Sequence, residues 1–400
     1  MIPRRLPNQP VIRPIAANTL RFHVLLVVVS LALTVSCKYK PHASRSGANA
    51  ATAATLTTTP LASIAQSASP GNRVLDSPPV KVERKYSAMG TSIQFIVYTK
   101  ATVNAAGVGT AIDRAFQEVQ RLEALLSEWR DDSDVGRVNQ AAGEWVTVGP
   151  ETAEVIDEAL WVSRASQGAF DITFHVMGDL WKFGTAQSAT PQLPARDEVR
   201  KRRVLIDYRR VEFDAEKSRV RIPKGRKIGL GGIAKGYIVD RAVAILRAAG
   251  LQSFLVQAGG DLYGAGHKPD GSHWVSGVQD PRAPEGSYFA SVELEDHAFS
   301  TAGDYARAYV IDARRYHHII DPHTGYPATA SRSVTVYAPD AMTADMIDDA
   351  VFILGPEKGL AFADTIDGVG VLIVDAHNKV WMSPDLTRKV TLLRPPTDGI

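Results

Sequence analysis

Apolar residues recur at helical spacing in several stretches of this chain, and each such stretch predicts a helix with one buried face. In residues 111–126 the apolar positions are Ile112, Ala115, Phe116, Val119, Leu122 and Leu126. Helices are likewise predicted over residues 151–166 and 238–249, and over a segment that begins with Thr343 as its N-cap. The apolar face of this last helix consists of Ile347, Ala350, Val351 and Leu354.

Short runs of β-branched and aromatic residues predict strands between these helices. The runs cover residues 92–98, 204–206, 211–213, 219–222, 254–256, 274–278 and 334–337. The chain closes with a predicted hairpin, in which residues 370–374 pair with residues 379–382. The folded part is expected to begin near residue 82, so it comprises roughly 320 residues. That length suits one large domain or two closely associated ones.

The first part of the chain has the pattern of an export signal. Arginines precede an apolar run over residues 24–35, which is too short for a membrane-spanning helix. The run ends at Cys37, the only cysteine of the chain. A plain signal peptide with an incidental cysteine is one interpretation. The favoured one is a lipoprotein signal over residues 1–36, with Cys37 lipidated as a membrane anchor.

Residues 37–80 consist mainly of Ala, Ser, Thr and Pro, and they carry too few large apolar side chains to offset the entropy of ordering. We therefore predict a disordered tether there and a folded domain over residues 82–390. The full chain has 400 residues, 45% of them hydrophobic and 22% charged, as in soluble globular proteins. Its formal net charge of +2 gives no reason to expect a nucleic-acid partner.

A glycine-rich stretch, Gly229 to Tyr237, stands where an extended run gives way to a helix. Glycines let a backbone approach an anion closely, and a helix N-terminus adds partial positive charge, so this turn can hold a phosphate. It matches neither the P-loop nor the dinucleotide-binding fingerprint. An ordinary glycine-rich turn is the alternative, and the turn alone does not separate the two.

Three aspartates crowd one side of the helix predicted after Thr343. Asp345, Asp348 and Asp349 are spaced i, i+3 and i+4, at which like charges repel. A solvated acidic first turn would be tolerated by the helix dipole. A divalent cation would instead turn the repulsion into coordination, and Mg²⁺ takes one or two carboxylates together with phosphate oxygens. A phosphate-binding turn and an acidic metal helix together suit phosphoryl transfer.

Histidines cluster between Tyr316 and Gly325. His317 and His318 are adjacent and would point to opposite sides of a strand, so they are not expected to share a metal ion. We expect one of them to face a pocket as an acid, a base or a phosphate donor.

Several motifs, taken in order, resemble the ApbE family of FAD:protein FMN transferases. The motifs are Met89-Gly90-Thr91, Ala169-Phe170-Asp171, Gly231 to Tyr237, Gly259-Gly260-Asp261, His318 to Pro322 and Ala344-Asp345. The resemblance implies an α+β fold in one large domain, with mixed sheets and packed helices. It also implies an exported, often lipidated protein that binds FAD and Mg²⁺, transfers FMN to a threonine of a flavin-accepting electron-transfer protein, and releases AMP.

The resemblance assigns roles to individual positions. Those implied to contact FAD are Met89, Trp129, Ala169, Phe170, Asp171, Lys235 and Asp261. Gly232, through its backbone carbonyl, would join Asp345 and Asp349 around Mg²⁺. His318 is similar to the family histidine at the reaction centre, where it would assist deprotonation of the acceptor hydroxyl.

Two positions depart from the family pattern. Gly229 stands where the family usually has an aspartate, and Asp349 replaces its metal-site threonine. Two other functions on the same scaffold therefore stay open. One is a Mg²⁺-dependent FAD pyrophosphatase that gives free FMN and AMP, and the other is a non-catalytic FAD-binding lipoprotein.

Overall fold

The computed structural model describes residues 78–183 and 192–399. Residues 1–77, with the predicted signal segment, Cys37 and most of the tether, lie outside the described residues. The helices of the described part are α1 (Ala105–Leu126), α2 (Asp134–Gln140), α3 (Pro150–Ala165), α4 (Arg196–Arg203), α5 (Ala234–Ala248) and α6 (Ala341–Ala363). None of them has the length and apolar character needed to cross a membrane.

The strands form one large antiparallel sheet and three small ones. In chain order they are β1 (Lys81–Ala88), β2 (Thr91–Tyr98), β3 (Val146–Thr147), β4 (Glu212–Asp214), β5 (Arg219–Arg221), β6 (Phe254–Ala258), β7 (Asp261–Ala265), β8 (Trp274–Gln279), β9 (Tyr288–Leu294), β10 (His297–Gly303), β11 (Ala308–Ile311), β12 (Arg314–His317), β13 (Ser331–Ala338), β14 (Gly370–Asp375), β15 (Val380–Met382) and β16 (Val390–Leu392). The order of the large sheet is β1-β2-β6-β7-β10-β13-β14-β15.

Both faces of the large sheet are covered, which follows from the alternation of side chains along its strands. Phe95 of β2 packs in the larger core with helices α1, α3, α5 and α6. Its neighbour Ile96 points the other way, into a second core with Trp274 and Phe289 of the small sheet β16-β9-β8. Mixed helices and antiparallel sheets within one domain confirm the predicted α+β class.

The N-termini of α5 and α6 meet, and this contact positions the candidate site. Asp240 of α5 accepts hydrogen bonds from the amides of Ala341 and Met342, both at 2.8 Å, and so caps α6. A Cβ atom at Gly236 would lie 2.1 Å from the carbonyl oxygen of Ala341 and 2.8 Å from Cβ of Asp345. Only glycine therefore allows the two helices to approach this closely.

The turn between β1 and β2 presents a strained residue. Met89 and Gly90 have φ angles of 53° and 66°, as a two-residue type I′ turn requires. The Met89 amide donates to Oε1 of Glu123 at 2.7 Å, which fixes the turn against α1. A methionine with positive φ is uncommon, and such strain is often found at functional sites.

Most of the predicted elements are confirmed, with shifted ends, but three predictions are wrong. Residues 204–206 are not a strand, because the amides of Leu205 and Ile206 bond back to the last residues of α4. The N-cap of α6 is Asp340 and not Thr343, whose own amide donates to Asp340. Helix α5 begins at Ala234 rather than at residue 238, so Lys235 lies in its first turn.

Candidate active site

Every residue that the sequence marked as a site residue lines one large cavity. The cavity has a volume of about 2730 Å³ and lies where the glycine-rich turn, the first turns of α5 and α6, and the ends of β7 and β10 converge. The predicted residues on its wall are Met89, Trp129, Ala169, Phe170, Asp171, Gly232, Lys235, Asp261, His318, Asp345 and Asp349. Residues up to 260 positions apart in the chain thus share one surface, from Met89 to Asp349.

The glycine-rich turn holds a carboxylate of the chain itself. The Gly236 amide, in the first turn of α5, donates to Oδ2 of Asp345 at 2.9 Å. Lys235 Nζ lies 2.6 Å from Oδ1 of the same carboxylate and 3.0 Å from Oδ2 of Asp261. The helix N-terminus therefore binds an anion, which was one of the two interpretations of this turn, and the anion is the carboxylate of Asp345.

Four aspartates and one lysine form what we call the acidic cluster: Asp261, Asp345, Asp348, Asp349 and Lys235. Oxygens of the first three aspartates lie within 4.8 Å of one another, and all three side chains are buried. The carboxylate of Asp349 faces the turn, since a Cβ added to Gly232 would lie 2.7 Å from its Oδ2. One cation thus faces four carboxylates.

Ser300 lies between two of these aspartates, and its two short contacts require one proton more than its hydroxyl carries. Its hydroxyl oxygen lies 2.5 Å from Oδ1 of Asp261 and 2.6 Å from Oδ2 of Asp348. A hydroxyl carries one proton and can donate to one carboxylate at a time. The second short contact is satisfied when Asp348 is protonated and donates to the Ser300 oxygen.

The pKa values of the cluster reflect this surplus of negative charge. Burial, aided by Asp261 and opposed by Lys235, raises the pKa of Asp345 to about 7. Burial also raises the pKa of Asp349 to about 6 and that of Asp348 well above its usual value. Burial alone would lower the pKa of Lys235, but the surrounding carboxylates raise it well above its usual value.

The donor set of the cluster fits a hard divalent cation such as Mg²⁺, which prefers carboxylate and carbonyl oxygens. The carboxylates that lie closest together are those of Asp261, Asp345 and Asp348, whereas the family resemblance implied Asp345 with Asp349 and the Gly232 carbonyl. Asp345 is common to both sets. Asp261, which the resemblance implied as an FAD contact, pairs with Lys235 within the acidic cluster and accepts a hydrogen bond from Ser300.

The two adjacent histidines have different surroundings. His317 is buried, and its Nε2 is hydrogen-bonded to the Ala328 carbonyl at 2.8 Å. His318 lines the cavity, and among the described residues its Nδ1 is enclosed without a hydrogen-bond partner. Burial, with Arg307 and His317 nearby, lowers the pKa of His318 to about 3. At neutral pH the His318 imidazole is therefore uncharged.

Asp171 lines the cavity, and its carboxylate accepts three hydrogen bonds from other residues of the chain. It accepts from the amide and hydroxyl of Thr173, at 2.8 and 2.6 Å, and from the Tyr208 amide at 2.9 Å. These bonds fix the backbone that carries Ala169 and Phe170 on the cavity wall. Asp171 thus helps to shape the wall, and its contact with FAD stays a prediction.

Trp129 is an aromatic residue at the rim of the cavity. Its side chain is 75% exposed, and its ring meets His175 edge to face at 5.2 Å between centroids. His175 in turn packs against Gly229, where an added Cβ would lie 3.0 to 3.1 Å from the histidine ring and its Cβ. Space that an aspartate would need at position 229 is thus taken by His175, whose pKa burial lowers to about 4.

Sequence reasoning missed several residues on the cavity wall. Two of them are Ser300 and Glu128, which no sequence pattern singled out. Glu128 lies against Gly231 and accepts from the Leu230 amide at 3.3 Å, and burial raises its pKa. No sequence pattern distinguishes it from its exposed neighbour Asp131, because its burial depends on the approach of the glycine-rich turn.

Comparisons with known proteins agree with this geometry. Residues 89–373 match the ApbE family. A FAD:protein FMN transferase of Treponema pallidum is 33% identical over 330 residues, which cover 78% of this chain and 90% of the relative. The ApbE protein of Thermotoga maritima has a crystal structure similar to this chain, with a TM-score of 0.70, 33% identity and coverage of 78% and 99%. The flavin transferase ApbE of Vibrio cholerae gives a TM-score of 0.68 at 28% identity.

Proposed function

This chain belongs to the ApbE family, and from that premise we propose that it transfers FMN from FAD to a threonine hydroxyl of a target flavoprotein and releases AMP. The observation that carries the proposal is the acidic cluster, which lies in one cavity with a helix N-terminus and an uncharged histidine. Such a cavity can hold a pyrophosphate together with a divalent cation.

The chain offers Mg²⁺ oxygen ligands from Asp345, with Asp349 and the Gly232 carbonyl or with the neighbouring carboxylates Asp261 and Asp348. Bound there, Mg²⁺ would neutralise negative charge on the pyrophosphate. Lys235 now occupies the position of a counter-ion, 2.6 Å from Asp345. We expect its ammonium group to contact phosphate oxygens once another cation neutralises the aspartates.

The flavin and adenine parts of FAD would contact the remaining wall. Met89 and Phe170 supply apolar surface, and Trp129 offers an exposed ring at the rim on which a planar base or flavin can stack. The volume of about 2730 Å³ exceeds that of the usual small-molecule pocket. It leaves room for a segment of the acceptor protein beside FAD.

His318 is the proposed proton acceptor. The acceptor's hydroxyl oxygen would form a bond to the FMN-side phosphorus while the bridging P–O bond breaks and AMP leaves. The hydroxyl proton passes to His318, whose side chain lines the cavity. A pyrophosphate bound nearby would raise the pKa of this histidine, because negative charge favours the imidazolium form.

The test incubates the full chain with FAD and Mg²⁺, with and without an electron-transfer domain that carries an acceptor threonine. AMP release and covalent flavin fluorescence of the acceptor in a denaturing gel are measured together. Labelled acceptor with AMP supports the transferase. AMP without labelled acceptor at any acceptor concentration would favour the pyrophosphatase, and intact FAD would favour the binding protein.

Matched variants connect the result to the cavity. Asp345→Asn is expected to lower the transfer rate more than about 100-fold. Loss of a residue that only orients a metal ligand typically costs about 10- to 100-fold, and Asp345 is proposed to bind the metal directly. His318→Asn should lower it by about 100-fold or more. His377→Asn, in an exposed turn, should leave it unchanged. If Asp349→Thr cleaves FAD and the natural chain does not, the binding-protein alternative is favoured.

We also propose that the chain is exported and held at the periplasmic face of a membrane by a lipid on Cys37. The support is the apolar run before the cysteine and the Ala/Ser/Thr/Pro-rich segment after it. Cells fed a labelled fatty acid should incorporate the label into the natural chain and not into Cys37→Ser. Equal labelling, or equal release of both chains into the soluble fraction, would contradict the proposal.

A further inference from the structure

A second cluster of possible metal ligands lies outside the acidic cluster. It consists of His267, which follows β7, His273, which precedes β8, and Glu295, in the turn between β9 and β10. One ligand atom from each of the three lies within 4.8 Å of the others. Two imidazoles and a carboxylate form a known ligand set for Zn²⁺, with water in the fourth position.

The two histidine–glutamate distances in this cluster are too long for hydrogen bonds, and the shorter one matches the spacing of two ligands around an ion. Nδ1 of His267 lies 3.4 Å from Oε1 of Glu295, and Nδ1 of His273 lies 3.7 Å from its Oε2. Charge-assisted hydrogen bonds are about 2.7–2.9 Å long. Two ligand atoms bound to a tetrahedral Zn²⁺ at about 2.0–2.1 Å are separated by about 3.4 Å.

An unsatisfied nitrogen points to the same conclusion. Nδ1 of His273 is shielded from solvent and has no hydrogen-bond partner within the described ranges. Buried polar atoms without partners are rare, and a site for an ion is one established cause. A metal held by His273, His267 and Glu295 would satisfy this atom.

The chain holds the two histidines side by side before any ion binds. The amide of Lys268 donates to the Ser272 carbonyl at 2.9 Å, which closes the turn between the histidines. Their ring centroids are 4.7 Å apart. Preorganised ligands reduce the ordering cost of binding.

The third ligand is tied to the same turn. Asp296, next to Glu295, accepts from the Gly266 amide at 2.9 Å and from Arg247 at 2.7 Å. These bonds connect the β9–β10 turn to the residue that precedes His267. All three ligands are therefore positioned by backbone contacts that do not involve the metal.

We propose that His267, His273 and Glu295 bind a Zn²⁺-class ion, with water completing the tetrahedron, as a clip between the β7–β8 connection and the β9–β10 turn. The imidazole ligands suit a borderline-soft ion, whereas the acidic cluster offers only oxygen to a hard one. The side chains are 36 to 40% exposed, so the cluster lies at the surface of the protein. The clip is independent of the proposed transferase activity.

The test uses the full chain after removal of metals with a chelator. Zn²⁺ is the titrant in a calorimetric experiment, and the buffer contains excess Mg²⁺ to occupy sites that consist only of oxygen ligands. We expect one Zn²⁺ per chain, with two imidazoles and N/O distances of about 2.0–2.1 Å by X-ray absorption. Failure of the natural chain to bind Zn²⁺ under these conditions would overturn the proposal.

Variants identify the ligands. Glu295→Gln and His273→Ala should each weaken Zn²⁺ binding at least tenfold, whereas His377→Ala should leave it unchanged. Because Glu295→Gln is nearly isosteric, we expect this variant to fold, and its thermal unfolding curve checks that it does. If the double variant His267→Ala/His273→Ala binds Zn²⁺ as the natural chain does, the assignment is wrong.

Discussion

Two groups of buried aspartates in this chain have opposite surroundings. In the acidic cluster, Lys235 is the cation that contacts the carboxylates of Asp261 and Asp345. At the other group, which we call the paired network, Arg282 binds Asp304 through two hydrogen bonds of 2.7 Å. Asp280 beside it is fully buried, accepts from the amide and hydroxyl of Thr397, and pairs with Arg394 at 3.2 Å.

The difference appears in the pKa values. Burial works to raise the pKa of Asp280, but the Arg282 amide, Thr397 and Arg394 more than offset it and hold the pKa below its usual value. In the acidic cluster burial prevails, and the pKa of Asp345 rises to about 7. A buried carboxylate with hydrogen-bond donors and a cation beside it stays ionised. A buried carboxylate without them tends to bind a cation or a proton. The paired network is structural, and the acidic cluster is equipped to bind.

The largest expected effect comes from breaking the paired network. Arg282→Ala leaves Asp304 buried and unpaired, so the free energy of unfolding should fall by about 3–5 kcal/mol. Urea denaturation measures this. Arg394→Ala is the control, because this arginine is 44% exposed and its pair with Asp280 should contribute only about 0–1 kcal/mol. Equal losses in both variants would mean that the Arg282–Asp304 pair has no special weight.

A smaller effect is expected from forcing apart the helices that carry the acidic cluster. Gly236→Ala adds a Cβ against the Ala341 carbonyl, so we expect a loss of about 1–3 kcal/mol in the free energy of unfolding and of Mg²⁺ binding. Gly109→Ala in α1 is the matched helical control, since its Cβ would meet only the end of the flexible Arg84 side chain. A Gly236→Ala chain that binds Mg²⁺ normally would show that the close approach of α5 and α6 is dispensable.

The pH dependence of stability should distinguish the two groups next. The pKa values of Asp345 and Asp349 are raised in the folded chain, so the folded state holds more protons than the unfolded one. Their stabilising contribution is therefore complete below about pH 3.8 and is lost as the pH rises toward about 6 for Asp349 and about 7 for Asp345. Buried His175 and His318 have lowered pKa values and act in the opposite sense below about pH 6.5, so the natural chain is compared with Asp345→Asn. In urea titrations without metal, the stability of the natural chain relative to Asp345→Asn should fall from pH 5 to 8.

The smallest effect has the opposite sign. Asp348→Asn removes a buried carboxyl group that must bind a proton, and it keeps a group that can donate to the Ser300 oxygen. Without metal, we expect the free energy of unfolding to rise by a few tenths of a kcal/mol. The same exchange at Asp280 should lower it, because the lost carboxylate is fully paired. Denaturation of the two variants in parallel tests whether the groups differ in sign, and a loss of stability in both would contradict the comparison.

Much of the local structure was predictable, and the exceptions have physical causes. Helix α1 has a regular apolar stripe, which was sufficient to predict the helix from residue 111 onward. Its first residues lack this stripe, so the predicted start was too late. Helix α4 was missed because eight largely charged residues give it a single buried position, Val199. The apolar residues just after it were taken for a strand, since a three-residue run does not reveal whether its amides bond backward or across a sheet.

The sequence alone determined which chemical groups this protein brings to its cavity, from the glycine-rich turn to Lys235, His318 and the aspartates of α6. Tertiary structure decided what each group does. Ser300 reaches Asp261 because β7 and β10 are neighbours in the sheet, and Asp171 is occupied because Tyr208 lies beside it. His317 and His318, adjacent in the chain, differ only in what surrounds them. The charge and hydrogen bonding of a buried group depend on neighbours distant in sequence, and folding alone sets those neighbours.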